Sequence, residues 1–237
     1  MIAAVTGAIM RVDISRLVAG TGAMMVAFAV ALFLPAGTLA WPAGWAFFVL
    51  MFGFANAMSL WLLRFNPSLL AERLTGIGRP DQKTWDKVFV ALTGIAFFSW
   101  LTVMALDAVR FRWSHVPPWL QGIGTLLLLG SFYVFYLTFR ENSYLSPAVR
   151  VQIERGQTVV TTGPYRCVRH PMYAGFVLFT LGTTLLLGSW YGLLGSSVLI
   201  GMVAWRAVQE ERVLREELEG YSAYMMRVRY RFVPHLW

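Results

Sequence analysis

The chain contains little charge and almost no cysteine. Charged residues make up 14% of its 237 positions, whereas an ordinary soluble domain carries about 25%. This shortage excludes a disordered, secreted or ordinary cytosolic protein. The single cysteine, Cys167, excludes an internal disulfide and a metal site built from several cysteines. With only three histidines scattered along the chain, we expect no metal to be bound.

Long apolar runs take the place of the missing charge, and 57% of the residues are hydrophobic. A helix that crosses a bilayer needs about 20 residues. The uncharged runs that are long enough lie at 17–63, 88–106, 116–139 and 171–205. The first holds two helices separated near Pro35 and Pro42, and the last predicts a tight helical hairpin that turns at 188–192. We therefore predict an all-α integral membrane protein with about six hydrophobic helical segments.

The basic residues predict the orientation of these segments. Eighteen of the twenty Lys and Arg residues lie in the N-terminal segment, the second and fourth connections or the tail, while Arg110 and Arg112 lie in the third connection. Because basic residues mark the cytoplasmic face, we predict that both termini are cytoplasmic, in the inner membrane of a bacterium. The apolar run after Asp13 continues as a full span, so we expect no cleaved signal peptide. The loops account for the net charge of +8, and we expect no nucleic-acid partner.

The fourth connection is the richest in polar motifs. Its middle, 151–161, weakly predicts a strand, a turn and a second strand. It ends in the run GPYRCVRHPMYAG at 163–175, where Pro171 suits the first turn of a helix. The exposed N–H groups of that turn, together with Arg169 and His170, favour an anionic ligand group. The alternative is a basic cytoplasmic flank in front of a helix that begins with proline.

A second polar cluster follows the hairpin. Arg206 and Glu210 are four residues apart on one helix face, and Glu211 comes next. If the hairpin forms, both of its arms end on the same side, so this cluster lies beside the motif at 163–175. Charges next to hydrocarbon usually mark a functional site, although a solvated ion pair would give the same spacing. We predict a polar pocket on the cytoplasmic side, followed by a C-terminal helix along the membrane surface at 208–224.

These motifs carry a resemblance to a known family. They are the run at 163–175, the sequence EERVL at 210–214, and the closing residues Tyr221, Tyr224, Arg227 and Pro234. They resemble the isoprenylcysteine carboxyl methyltransferase family and its phospholipid methyltransferase relatives, and NPSLLAER at 66–73 with KTWD at 83–86 is similar to bacterial members. The resemblance covers 64–237 and is strongest over 157–237, while the helices of 1–63 are generic. It implies a single membrane-embedded methyltransferase domain over 1–237, with its catalytic core at 157–237.

The resemblance implies S-adenosylmethionine as the cofactor and assigns residues to it. Glu210 would contact the polar groups of the cofactor, and Arg206 would face the methyl acceptor. The residues implied for the cofactor pocket, with Arg169 added from its place beside the helix start, are Gln157, Thr158, Val159, Val160, Tyr165, Arg169, His170, Pro171, Met172, Tyr173 and Glu210. A cationic sulfonium favours aromatic faces, which Tyr165, Tyr173 and Trp205 could provide.

The sequence leaves the methyl acceptor open, with Arg206 and Glu211 as the predicted catalytic residues. A carboxylate is already a nucleophile at pH 7 and could be held by Arg206 in a bidentate pair, whereas an amine would need deprotonation by Glu211 or His170. We expect membrane lipids to surround the protein, and we expect a lipid or lipidated acceptor to enter laterally between helices. The leading interpretation is carboxyl O-methylation of an isoprenylcysteine-like substrate. The alternatives are a phospholipid or small-molecule N- or S-methyltransferase, an NADPH-dependent membrane reductase, and a non-enzymatic transporter subunit.

Overall fold

The computed structural model describes residues 12–75, 82–234 and 237, and these residues form helices and helical turns without a β-strand. The α-helices in chain order are α1 (Ile14–Ala36), α2 (Pro42–Phe65), α3 (Pro67–Thr75), α4 (Thr84–Ala105), α5 (Pro118–Glu141), α6 (Pro171–Leu187), α7 (Tyr191–Glu217) and α8 (Tyr221–Arg227). Within these residues α1, α2, α4, α5 and α7 are long and apolar enough to cross a membrane, and α6 is a shorter apolar helix. The prediction of an all-α, multi-pass membrane protein is confirmed.

Prolines and one glycine set the boundaries of the first two spans. Asp13 caps α1 by accepting a hydrogen bond of 3.0 Å from the backbone N–H of Arg16. Pro35 lies in the last turn of α1, and Gly37 ends the helix in the left-handed region at φ 70°. Pro42 begins α2, where its missing N–H leaves no hydrogen bond unmade. The predicted break between two spans is therefore confirmed.

At its far end α4 continues into a wider π-helical turn at Leu106–Phe111. This turn carries the buried carboxylate of Asp107, whose Oδ2 accepts hydrogen bonds of 2.5 Å from the hydroxyls of Ser114 and Ser189. Because Ser189 belongs to the turn between α6 and α7, these bonds fasten the third connection onto that turn. The hairpin is thus anchored at the end opposite its polar motifs.

The helices α6 and α7 form the predicted hairpin. Gly188 ends α6 at φ 82°, and α7 begins at Tyr191. α6 has 17 residues and α7 has 27, so the C-terminal part of α7 extends beyond the length that α6 covers. This extension carries the second polar cluster and places it at the start of α6.

Two glycines bring α5 and α6 into close contact. A Cβ atom on Gly124 of α5 would lie 2.5 Å from the backbone nitrogen of Leu186, and one on Gly182 of α6 would lie 2.6 Å from the backbone nitrogen of Leu128. Small residues allow membrane helices to approach this closely. The buried core that these helices share with α1, α2 and α4 is rich in aromatic side chains, among them Phe28, Phe47, Trp100, Phe132 and Phe179.

The fourth connection differs from its prediction. No strand forms at 151–161, and Ile153–Arg155 instead makes a short 3-10 turn that Gly156 closes at φ 61°. The strand prediction was wrong because side chains of the connection itself take over backbone hydrogen bonds that strand pairing would need. The backbone N–H of Gln152 donates to Oε1 of Gln157 at 2.8 Å, and the hydroxyl of Tyr144 donates to the carbonyl of Gly156 at 3.2 Å. Just before this segment, Oδ2 of Asp86 in α4 accepts a bond of 2.9 Å from the backbone N–H of Val149.

The tail is divided where one continuous surface helix was predicted. α7 runs to Glu217, Gly220 turns the chain at φ 82°, and α8 follows. The apolar side chains of the tail pack against the fourth connection in a cluster formed by Leu218, Tyr221, Tyr224 and Val228 with Val151 and Val159. The segment 208–224 therefore extends a span in its first part and covers the fourth connection in its second.

Candidate functional site

An ion-pair cluster joins the two arms of the hairpin. Nε of Arg169 lies 2.7 Å from Oε1 of Glu211, and Nε2 of His170 lies 3.1 Å from the same oxygen. Nε of Arg231 donates to Oε2 of Glu211 at 3.0 Å. The predicted meeting of the two polar clusters is confirmed, and the bonds fix the start of α6 against α7.

Arg169 also holds the segment that follows α8. Its Nη1 donates to the backbone carbonyls of Val228 and Arg229 at 2.8 and 2.7 Å. Its backbone N–H donates to the carbonyl of Tyr230 at 2.9 Å. The C-terminal segment therefore packs directly against the beginning of α6.

Glu210 lies on a different side of α7 from Glu211, because successive residues of an α-helix are turned by about 100°. Its Oε2 accepts a hydrogen bond of 2.9 Å from the hydroxyl of Tyr173 and lies 4.0 Å from Nδ1 of His170. The rings of His170 and Tyr173 stack with their centres 5.5 Å apart. With 28% of its side chain exposed, Glu210 presents a carboxylate to the space in front of α6.

That space is a cavity of about 390 Å³, a volume in the range of small-molecule sites. The residues predicted for the cofactor all line it, namely Gln157, Thr158, Val159, Val160, Tyr165, Arg169, His170, Pro171, Met172, Tyr173 and Glu210. Arg206 lines it as well. Walls also come from upstream of 157–237, from Arg73, from Phe89 and from residues between 142 and 150. The structure thus brings the predicted site residues around one cavity, and their roles stay predictions.

Buried tyrosines form one side of the cavity. The side-chain amide of Asn142 donates to the hydroxyl of Tyr165 at 2.8 Å, and the hydroxyl of Tyr224 donates to the carbonyl of Tyr165 at 2.7 Å. Burial raises the pKa of Tyr165, Tyr221 and Tyr224 above the ordinary value of a phenol. At pH 7 these groups are therefore neutral, and they give the cavity aromatic surface without charge.

Arg206 lines the cavity, and its guanidinium is bound by other residues of the protein. Its Nε and Nη2 lie 3.0 and 2.9 Å from Oδ1 of Asp86, and Nη2 donates to the carbonyl of Pro147 at 2.6 Å. Its Cζ lies 5.4 Å from the ring centre of Phe89. The sequence analysis missed Asp86, which is fully buried. The available signal was an acidic residue in the first turn of an apolar helix, where a charge needs a partner.

A second ion-pair cluster, also missed, lies beside the second half of α3. Nη2 of Arg150 lies 3.0 Å from Oε2 of Glu72, and Nη1 of Arg150 lies 2.7 Å from Oε1 of Glu154. Arg150 and Glu72 are both buried. Two charges far apart in the sequence gave no signal of this pairing. The cluster ties α3 to the fourth connection, and the next residue, Arg73, reaches the cavity.

The role predicted for Glu211 needs correction. Among the described residues that line the cavity, Glu210 is present and Glu211 is not. The side chain of Glu211 is 4% exposed, and Arg169, His170 and Arg231 occupy its two oxygens. A carboxylate enclosed in this way cannot reach an acceptor as a general base. Its contacts hold Arg169 and His170 in place instead.

Together these features define a class of protein, a multi-pass membrane protein with a polar, aromatic-walled cavity at one end of its helical bundle. Residues 119–219 match the model of the phospholipid methyltransferase family. This match and the relatives described next confirm the resemblance predicted from the sequence. Over part of its length the chain is therefore similar to members of the isoprenylcysteine carboxyl methyltransferase and phospholipid methyltransferase superfamily.

Two curated relatives are similar to this chain over part of its length. The protein-S-isoprenylcysteine O-methyltransferase of Schizosaccharomyces pombe is 32% identical over 109 residues, which cover 43% of this chain and 44% of that protein. The protein-S-isoprenylcysteine O-methyltransferase B of Arabidopsis thaliana is 27% identical over 100 residues, which cover 42% of this chain and 48% of that protein. The match thus spans less than half the length of either relative.

One solved structure resembles nearly the whole chain. It is that of a eukaryotic intramembrane Ras methyltransferase, an isoprenylcysteine carboxyl methyltransferase, with a TM-score of 0.54 and 17% identity. The superposition covers 91% of this chain and 75% of that one. At this identity the likeness concerns the fold, and it extends the similarity beyond residues 119–219.

Proposed function

We propose that this protein is an integral membrane methyltransferase that transfers a methyl group from S-adenosylmethionine to a lipid or lipidated acceptor. The observation that carries the proposal is that residues of the motif at 163–175 line the same cavity as Glu210 and Arg206. The relatives are named methyltransferases of isoprenylcysteine, which supports an isoprenylcysteine-like carboxylate as the acceptor.

The groups around the cavity fit S-adenosylmethionine. That cofactor combines a nucleoside, a sulfonium and an amino-acid group, and when bound it would supply the activated methyl group. The Glu210 carboxylate suits its cationic or hydroxyl groups, and the rings of Tyr165 and Tyr173 suit a sulfonium. Burial raises the pKa of Tyr165, so its phenol adds no negative charge. The residues 157–160 would form the wall along which the cofactor lies.

The position of Glu211 favours a carboxylate over an amine as the acceptor. A carboxylate is ionised at pH 7 and needs alignment rather than a base. Arg206, held by Asp86 and Pro147, would fix such a group against the cofactor. An amine would need to lose a proton. Of the two side chains predicted for that task, Glu211 does not line the cavity, and His170 lines it with its Nε2 bound to Glu211.

An apolar groove offers a separate route for a lipid chain. It lies between α4 and α7 and is lined by Trp85, Val88, Phe89, Leu92, Val198, Gly201, Met202 and Trp205. Phe89 lines both this groove and the cavity. Val88, Leu92 and Val198 are exposed, as expected for side chains that face lipid. An acceptor could therefore keep its chain in the groove while its polar end enters the cavity.

The placement in the membrane completes the proposal. We infer that the cavity and both termini are on the cytoplasmic side of a bacterial inner membrane, since eighteen of the twenty Lys and Arg residues lie on that side. The water-soluble cofactor would reach the cavity from there. We also propose that 1–237 is one domain, in which the catalytic core at 157–237 is completed by upstream residues such as Arg73 and Phe89.

Isothermal titration of the purified protein in lipid nanodiscs tests the proposal. We expect saturable binding of S-adenosylhomocysteine and no binding of NADPH. With radiolabelled S-adenosylmethionine, we expect label on N-acetyl-S-farnesylcysteine and none on phosphatidylethanolamine vesicles. A folded sample that binds NADPH and ignores S-adenosylhomocysteine would identify a reductase instead. Label on the phospholipid alone would keep the methyltransferase and replace its acceptor.

A further inference from the structure

The arginines around the cavity differ in whether a carboxylate neutralises them. Arg150 is paired with Glu72 at 3.0 Å, Arg169 with Glu211 at 2.7 Å, and Arg206 with Asp86 at 2.9 Å, and all three arginines line the cavity together with Arg73. Among the residues that the structure describes, no carboxylate lies within ion-pair distance of Arg73. The positive charge of Arg73 is therefore open to a ligand.

The surroundings of Arg73 are apolar apart from one carbonyl. Its Nη1 donates to the backbone oxygen of Leu145 at 3.2 Å, and its Cζ lies 4.8 Å from the ring centre of Phe139. Burial lowers the pKa of Arg73 to about 10, which still leaves the side chain charged at pH 7. A guanidinium has five N–H donors in a planar fork, so most of them are available to an anion that enters the cavity.

We propose that Arg73 binds a carboxylate of the ligand held in the cavity. This inference rests on the proposed function and deepens it, because neither the sequence motifs nor the family resemblance assigned a role to Arg73. A guanidinium matches a carboxylate in a bidentate pair. In a methyltransferase of this kind the carboxylate has two sources, the amino-acid group of the cofactor and the carboxyl group of the acceptor.

Binding measurements on Arg73→Gln, Arg73→Lys and the control Arg64→Gln separate these sources. Arg64 is exposed at the end of α2 and does not line the cavity. The probes are S-adenosylhomocysteine and 5′-methylthioadenosine, which has the same nucleoside and thioether without the amino-acid group. The acceptor probe is N-acetyl-S-farnesylcysteine, with its KM measured from methyl incorporation.

If the cofactor supplies the carboxylate, Arg73→Gln lowers the affinity for S-adenosylhomocysteine by about ten- to a hundredfold and leaves the affinity for 5′-methylthioadenosine unchanged. If the acceptor supplies it, binding of S-adenosylhomocysteine stays unchanged and the KM for N-acetyl-S-farnesylcysteine rises by a similar factor. In either case Arg73→Lys, which retains the positive charge, retains part of the affinity that Arg73→Gln loses, and Arg64→Gln behaves as wild type. The inference is overturned if Arg73→Gln weakens S-adenosylhomocysteine and 5′-methylthioadenosine equally. It is also overturned if Arg73→Gln changes neither nucleoside affinity nor the KM for the acceptor.

Thermal unfolding gives a readout that distinguishes ligand binding from a structural role. Removing a partly buried charge that has no carboxylate partner relieves a desolvation cost, so the Tm of Arg73→Gln without ligand is expected to equal or exceed that of wild type. A fall in Tm would indicate a structural residue and contradict the inference. If wild type binds S-adenosylhomocysteine and Arg73→Gln matches it in every assay, only this inference fails. If wild type binds none, the proposed function fails and the inference falls with it.

Discussion

Nε of Arg169 and Oε1 of Glu211 are 2.7 Å apart although 42 positions separate them in the chain. This ion pair joins Arg169, two residues before α6, to the extended part of α7. It gives the hairpin a closed polar end, against which the segment after α8 is bound. The pair thereby helps to shape the cavity, because it holds in place the start of α6, where His170 and Tyr173 line the cavity wall.

Glu211→Gln should destabilise the protein by about 3–5 kcal/mol, since it removes the negative charge from a buried cluster that contains two arginines. Denaturant or thermal unfolding in detergent measures the loss. Glu216→Gln is the matched control, because Glu216 is exposed on the same helix. A Glu211→Gln variant as stable as the control would contradict the positioning role.

Glu210→Ala should weaken S-adenosylhomocysteine by at least about tenfold, the effect of losing one hydrogen bond to a charged group. Titration calorimetry provides the measurement. Glu216→Ala should bind as wild type does. Normal binding by Glu210→Ala would show that the carboxylate in the cavity does not contact the cofactor.

Arg206→Met should reduce turnover and leave the affinity for S-adenosylhomocysteine within about twofold of wild type. The same change leaves the buried Asp86 without its cation, which should cost about 3–5 kcal/mol of stability. Adding Asp86→Asn should restore much of the stability, because it removes the unpaired charge, and should not restore turnover. Recovery of turnover in the double variant would mean that Arg206 acts only through stability.

The native cysteine tests the proposed orientation. Cys167 is exposed in the motif before α6, so a membrane-impermeant maleimide should label it in inverted vesicles and not in intact spheroplasts. The matched probe is His115→Cys in a Cys167→Ser background, because residue 115 is exposed in the third connection. It should show the opposite pattern. Labelling of both positions from one side would exclude the topology.

The apolar spans could be read from the sequence because their signal is local. Uncharged runs, the prolines at positions 35 and 42 and the turn at 188–192 are visible without any knowledge of tertiary contacts. The fourth connection could not be read in this way. Its β-branched residues predict strands, whereas its conformation depends on distant side chains such as Asp86 and Glu72.

The site was predictable in part for the same reason. Motifs located the residues around Glu210 and His170, since they lie at the two ends of one hairpin. Adjacent positions 210 and 211 gave no indication of which carboxylate faces the cavity, because that depends on how α7 is rotated in the bundle. The motif at 66–73 includes Arg73 but gave no indication of its role, since the lack of a carboxylate partner among the described residues is a property of the folded structure.

The glycine contact between α5 and α6 restricts how the molecule can move. With Gly124 and Gly182 leaving no gap between the two backbones, separating these helices would break a close backbone contact. Between α4 and α7 a contact is made by side chains instead, the rings of Phe89 and Trp205, which stack with centres 5.7 Å apart. Trp205 is exposed, whereas Phe89 is buried, and rotation of exposed side chains takes picoseconds to nanoseconds. Movement of the Trp205 ring therefore needs no displacement of a helix.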